Sequence, residues 1–480
     1  MIDFNQLWGA ADWIVLLLYF VGVMIVGFVM HRKASKSFKS FFVASRRLTI
    51  PVLIGTAAAS WYDSWTIVGL AECGATIGIS VILVYIIPST ILRLPLALWI
   101  GPMTRSKMPD WVVTLPDLFR YFYNKPTGLL SAICPMSSQL YCCALLFAVG
   151  EVLNLVSGMN IWLAMIIAGF AFVVYTFLAG MWGLAVTDLI QFMIMTVSAA
   201  ALLVGIYNNF GSASAMFEAS KAIDPELTQL FGHMTGPEAF GWIISALAIY
   251  TNAQSYQRFG AAKGGGEIKI AYPLMLAIGG IFSATMVLAG VASITMFPGA
   301  ETPAQGFWAM VFSVLPTGCR GLFVAALIAA VMSTVSAEFL ITGGILVKDF
   351  FKGLVKPDLS DLGVLKGTRG VICFLGVFVI CGTYLWQNGI ANAWNIIGGF
   401  QVAVFLIPLL GGFFYKNKSA VGGLVTVIFN VLWYILWQFI LGAPMGIPSS
   451  VSTWVAGLIV YFIACSLFKD KDSAEKNLLS

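Results

Sequence analysis

The chain is expected to fold as an all-α integral membrane bundle of about thirteen transmembrane helices. Three observations predict this. Its 480 residues are 60% hydrophobic and only 10% charged, with a mean hydropathy of +0.92, a balance suited to lipid and not to a water-soluble domain of this size. Apolar runs of roughly 20 residues, the length that crosses a hydrocarbon core, recur from end to end. The basic residues between those runs fall almost wholly on alternate connections, as the positive-inside rule requires.

The spans are expected near 11–30, 50–75, 78–101, 127–157, 160–180, 183–208, 238–258, 269–296, 320–350, 367–387, 391–414, 420–442 and 450–468. With the N-terminus outside, 23 of the 26 Lys and Arg lie in cytoplasmic segments, from Arg32 and Lys33 through Arg258 to Lys471 and Lys476. Lys221 and Arg320 lie outside, and Arg93 falls within a span. Dropping any one helix would scramble this asymmetry. The chain is therefore read as multi-pass in a cell membrane (plasma or bacterial inner), N-terminus outside and C-terminus cytoplasmic. The formal charge of +5 follows from that orientation, so the partners expected are the lipid bilayer and a small molecule, with no nucleic acid. Nothing specifies a protein partner. The first apolar run, Ile14 to Met30, has no basic stretch before it and no small-residue cleavage site, and reads as a retained helix.

Two connections are long. Residues 209–237 are expected to include an amphipathic helix, and the run GFWAMVFSVLP within 297–319, too short to span, is expected to lie at the membrane interface. The tail 469–480 is charged and expected to fray. Eight cysteines are scattered without a CxxC pair, and His31 and His233 are the only histidines. No HExxH, Walker loop or nucleophile elbow occurs, so an enzyme is not expected.

Away from span ends, the acids at membrane depth reduce to Asp63, Glu72, Glu151, Asp188 and Glu338. Asp12 reads as an interfacial helix-start residue. Glu72 and Glu151 lie near the outer ends of their helices. Asp188, after Thr187 in GMWGLAVTDLIQF, reads equally as a helix-start cap or a functional acid. Asp63 and Glu338 sit well inside spans, where an acid costs about 2.5–3.5 kcal/mol on insertion scales, so each is expected to face a cavity. Asp63 belongs to TAAASWYDSWTIVGLAE, residues 56–72, whose small residues allow close approach and whose Trp61, Tyr62 and Trp65 surround it. This stretch is read as the floor of a binding site. In AALIAAVMSTVSAEFLITGG, Ala330, Ser333, Thr334 and Glu338 share one helical face. Paired hydroxyls there offer oxygen ligands to a hard cation without formal charge, although Ser-Thr pairs also serve helix packing. Arg93 is expected to snorkel toward the cytoplasmic face, roughly two helical turns away.

These stretches resemble the sodium:solute symporter family. The motifs are SWTIVGLAE after a small-residue run, AGMWGLAVTDLIQ, AAVMSTVSAEFL with LVKDFF, and more weakly YQRFGAAK at 256–263. The similarity spans essentially the whole chain. It implies a LeuT-like fold: a 5+5 inverted repeat (50–208 and 238–414), one extra N-terminal helix (11–30) and two extra C-terminal helices (420–468). The first helix of each repeat would be broken near the midplane, at Ser60–Ser64 and in Ser245 to Asn252.

The resemblance also implies a coupling Na+ held by the carbonyls of Ala59, Tyr62 and Ala330 and the hydroxyls of Ser333 and Thr334. Asp188 matches an acid associated with a second ion or the exit path, and Glu338 is grouped with it. A substrate site is expected from Trp61, Asp63, Ser64, Trp65, Thr66, Ser245 and Asn252. The first core helix is most similar to the choline-transporter branch, because a Trp stands at Trp61, and this favours an amine, organic cation or zwitterion held by Asp63 and the aromatics. The alternatives are a neutral or anionic solute (amino acid, sugar, carboxylate), proton coupling through Asp63 and Glu338, or a channel or sensor on the same fold.

Overall fold

The computed structural model describes residues 7–385 and 390–469; the expected tail beyond 469 lies outside these. Among the described residues every regular element is helical, with one isolated bridge pairing Leu48 and Ala262. The first helix, α1 (Ala10–Ala34), buries Asp12, Leu16, Tyr19 and Val23 while Leu17, Leu18, Ile25 and Phe28 stand exposed, as suits a helix with lipid on one side. Asp12 opens it as expected but is fully buried. Its Oδ1 accepts the backbone N–H groups of Gly318 and Gly321, both at 2.7 Å, so it caps a second helix far along the chain.

Helix α2 (Ile50–Ala59) stops at Ser60, the chain unwinds to Asp63, and a widened turn (Trp65–Gly69) leads into α3 (Leu70–Thr76). The interruption falls where the polar cluster predicts it. Then come α4 (Ile82–Ser106), α5 (Lys125–Ser157) and the 50-residue α6 (Ile161–Phe210). Gly180, at φ +50°, bends α6 in the left-handed region that glycine tolerates, so the expected spans 160–180 and 183–208 are its two arms. The long connection holds α7 (Ala213–Ile223), the amphipathic helix expected there.

Helix α8 (Gly236–Ser245) breaks at Ala246 and Leu247, makes one further turn (Ala248–Thr251), and restarts after Asn252 as α9 (Ala253–Ala261). After α10 (Gly265–Met296) comes α11 (Pro303–Val314). Its side chains Phe307, Trp308, Met310, Val311 and Phe312 are buried against neighbouring helices. The chain closes with α12 (Cys319–Ile345), α13 (Asp361–Gly382), α14 (Ile390–Phe414), α15 (Ala420–Ile435) and α16 (Ser449–Leu467).

Among the described residues ten helices are long and apolar enough to cross a membrane. The expected thirteen crossings additionally count α6 as two arms and the interrupted pairs α2/α3 and α8/α9 as one crossing each. Helix α12 is the axis: every residue from Phe323 to Ile345 is buried. Small residues bring helices to contact distance around it, as expected in lipid, where association rests on packing. A Cβ on Gly55 would sit 2.7 Å from the backbone of Leu189, and one on Gly290 only 1.9 Å from the Ala71 carbonyl. These contacts seat α2 on α6 and α3 on α10.

Candidate functional site

Where α2 ends against α12, four of the five expected ion ligands converge. The Ser333 hydroxyl lies 2.7 Å from the Ala59 carbonyl and 2.9 Å from that of Ala330. Thr334 Oγ1 lies 3.0 Å from the Ala330 carbonyl and 3.3 Å from that of Ser60. The Ala59 and Ser60 carbonyls, at the end of α2 where the helix ladder stops, lie at the negative end of its dipole. Two hydroxyls and three carbonyls, all uncharged oxygens, form a donor set that fits a hard monovalent cation. The Ser60 carbonyl joins the set beside the expected ligands. The Tyr62 side chain points away from the junction's hydroxyls, its ring stacked on Phe282 with centroids 4.6 Å apart.

Beside this junction runs a buried polar network. Thr56 donates to Asp188 Oδ2 at 2.5 Å, and Arg258 Nη2 lies 3.6 Å from the same oxygen. Arg258 also reaches the Thr56 carbonyl (3.1 Å), the Ser60 hydroxyl and the Gln254 side chain. Two expectations are corrected. Asp188 is no helix-start cap but a fully buried residue within α6. Arg258 is no cytoplasmic loop cation, since it is 1% exposed, its charge held inside by Asp188 and carbonyls. Asp188 Oδ1 makes no hydrogen bond.

Below the break opens a central cavity of about 50 Å³. Trp61, Asp63, Trp65, Thr66 and Asn252 line it as expected, and so does Glu338. Ser64 and Ser245 do not. The Ser64 hydroxyl is buried without a partner, and Ser245 faces a separate vestibule while donating to the Trp242 carbonyl at 2.8 Å. That vestibule, about 390 Å³, lies beyond a layer of stacked indoles. Trp65 stacks on Trp242 at 5.8 Å and on Trp394 at 6.5 Å.

The acid at the centre has internal partners. Tyr141 donates to Asp63 Oδ2 at 2.6 Å, and the Thr66 N–H donates to Oδ1 at 3.1 Å. Asp63 thus caps the helix that restarts after the break. Glu338 differs. Its Oε1 accepts Gln254 Nε2 at 2.8 Å, while Oε2 makes no hydrogen bond.

Arg93 also lines the cavity, against the expectation of snorkelling. It is 4% exposed, its Nε donates to the Ala246 carbonyl at 2.7 Å, and its guanidinium lies 4.4 Å from the Trp61 ring centroid. The break in α8/α9 frees that carbonyl, and Arg93 satisfies it. Its Nη2 is buried without an acceptor, as are the indole N–H groups of Trp65 and Trp394. The signal for Arg93 was its depth, since an intramembrane Arg is by default functional. Gln254, Tyr141 and Trp394 carried no such signal.

The profile of the sodium:solute symporter family matches residues 41–429. A sodium/pantothenate symporter of Haemophilus influenzae is 24% identical over 95% of each chain. A sodium/proline symporter of Staphylococcus aureus is 22% identical, covering 88% of this chain and 87% of that one. The fold superposes on a Na+-coupled sialic acid symporter, solved substrate-bound and outward-open, with a TM-score of 0.81 at 18% identity over 96% of this chain and 98% of the other. A transporter of the nucleobase-cation-symport-1 family, in a closed conformation, gives 0.55 at 13% identity over 91% of this chain and 98% of that one.

Proposed function

The chain belongs to the sodium:solute symporter family and is a multi-pass membrane transporter using Na+ as its coupling ion, and from that premise we propose that it imports a small solute bearing a carboxylate. The observation that carries this reading is Arg93. A guanidinium in the cavity wall with a buried, acceptorless N–H, beside two indole N–H groups in the same condition, suits an acceptor-rich anion. Each buried N–H without a partner costs about 1–3 kcal/mol, and the free guanidinium N–H can give a charge-assisted hydrogen bond to a carboxylate. The pantothenate, proline and sialic acid relatives are consistent with it.

Of the amine, organic cation or zwitterion that the sequence favours, only the zwitterion agrees with Arg93. The Trp61 face that would receive a quaternary ammonium already carries the Arg93 guanidinium, and both Asp63 oxygens have internal donors. Sodium supplies the driving free energy of import. Ala59, Ser60, Ala330, Ser333 and Thr334 would hold it, with Asp188 as a candidate second ion or exit-path group. Ion and solute sites share α12, where Glu338 follows Thr334 by one turn, and coupling requires each to favour binding of the other. The positive-inside pattern supports an outside N-terminus and a cytoplasmic C-terminus, and it survives removal of the buried Arg258 from the cytoplasmic set. The inverted repeats are read as 50–208 and 238–414.

The test is thermal stability of the purified protein against carboxylates, amines and sugars, in sodium and in potassium. Carboxylates should raise Tm in sodium, and Arg93→Gln should abolish the rise. Stabilisation by amines lacking a carboxylate, or retention of the carboxylate response in Arg93→Gln, would overturn the reading.

A further inference from the structure

We propose that Glu338 is a second, specificity-determining anchor in the central cavity, receiving a protonated amine on the solute, so that the preferred substrate is a zwitterion with its ammonium at Glu338 and its carboxylate at Arg93. This rests on the carboxylate reading above and names the other end of the same molecule.

Two acids line the cavity, and their hydrogen bonding separates them. Asp63 spends Oδ1 on capping the restarted helix and Oδ2 on the Tyr141 hydroxyl. Glu338 spends Oε1 on Gln254, and its Oε2, in a side chain only 4% exposed, has only the Ser138 hydroxyl near it and no hydrogen bond of ordinary geometry. A buried carboxylate oxygen this weakly satisfied is unfavourable unless a stronger donor arrives. Ser138 stands beside it and Gln139 donates to its backbone carbonyl at 3.3 Å, so the residue is held in place from α5.

The cavity wall therefore holds both kinds of orphan: donors on Arg93, Trp65 and Trp394, and an acceptor on Glu338. A solute with acceptors alone leaves Glu338 unanswered, and one with donors alone leaves Arg93 unanswered. Charge agrees as well, because an ammonium beside Glu338 and a carboxylate beside Arg93 add no net charge to a desolvated site. Gln254 holds Glu338 from α9 and reaches toward the Thr334 carbonyl at 3.5 Å, so this anchor sits within one side chain of the ion junction without belonging to it.

The test uses the full-length protein in detergent with matched probes: β-alanine and 4-aminobutyrate against propionate and butyrate, plus L-alanine and L-proline, each titrated by Tm shift in sodium. At least one amino acid should bind at least about 10-fold tighter than its desamino partner. Glu338→Gln, which keeps the Gln254 hydrogen bond, should erase that preference while the carboxylate response and the sodium-only shift persist. Glu338→Asp, retaining charge, should keep the preference and guards against misfolding of the first variant. The proposal is overturned if no amino acid outbinds its desamino partner, if Glu338→Gln preserves the preference, or if Glu338→Gln removes the sodium-only shift, which would make Glu338 an ion ligand. Arg93→Gln separates the two readings. Loss of all carboxylate binding there, with the amine preference unmoved in Glu338→Gln, leaves the carboxylate reading standing and removes this one.

Discussion

The guanidinium of Arg93 lies over the indole of Trp61, 4.4 Å from the ring centroid, while its Nε holds the Ala246 carbonyl. One side chain thus joins the broken helix α2/α3 to the broken helix α8/α9. A cation over a Trp face contributes about 0.5–2 kcal/mol, the higher end when desolvated. Trp61→Leu should therefore weaken apparent solute affinity by about 2- to 30-fold, read as a rise in KM for sodium-driven uptake, with Trp61→Phe close to wild type. An unchanged KM in Trp61→Leu would show that the ring does not position Arg93.

Ser333 and Thr334 supply the side-chain oxygens of the ion junction. Ser333→Ala or Thr334→Ala should lower apparent sodium affinity by about 10-fold or more, as for loss of one charge-assisted contact, with solute affinity at saturating sodium little changed. The measurement is uptake against sodium concentration. Identical sodium curves in both variants would remove the junction from consideration.

Arg258 and Asp188 are buried partners, and removing one member of such a pair strands the other at about 3–5 kcal/mol. Arg258→Met should lower the thermal stability of the protein accordingly, and adding Asp188→Asn should recover part of the loss. A double variant no more stable than the single one would argue against their coupling.

In the connection after α7, His233 lies 2.7 Å from Asp224 and 3.0 Å from Glu226. The Glu226 backbone N–H, and then His233, hold the Asp224 carboxyl below its ordinary value of 3.8. A depressed carboxyl stabilises the folded loop above that ordinary value and loses the contribution as pH falls through the depressed one. The hydrogen-exchange protection factors of residues 213–235 should accordingly fall only below about pH 4, and Asp224→Asn should lower them at neutral pH too.

The contact of α3 with α10 leaves no room at Gly290. Gly290→Val should prevent assembly, seen as loss of monodisperse protein after extraction, because its side chain would meet the Ala71 backbone.

Composition and hydropathy determined that this chain is a helical membrane bundle, since burial in lipid is a property of segment averages. The polar interruption at Ser60–Ser64 was legible too, because unpaired backbone at membrane depth needs polar or small neighbours and those stand in the chain itself; the break near Ala246 came only from the family resemblance, since Ser245 to Asn252 holds no Gly or Pro. The Ser333–Thr334 face was visible from helical spacing, and its partner Ala59 from family resemblance. What only the tertiary structure decided are the partners of charged side chains. Asp63 reads as a free acid until Tyr141, 78 residues away, donates to it. Arg93 reads as a snorkelling cation until Ala246, 153 residues on, offers a carbonyl closer than the membrane surface. Arg258 reads as a loop charge until Asp188 and Thr56 enclose it. The physical reason is the same throughout. The free energy of a charge at low dielectric is set by the few groups within hydrogen-bonding reach, and in a bundle those groups come from helices that the sequence keeps far apart.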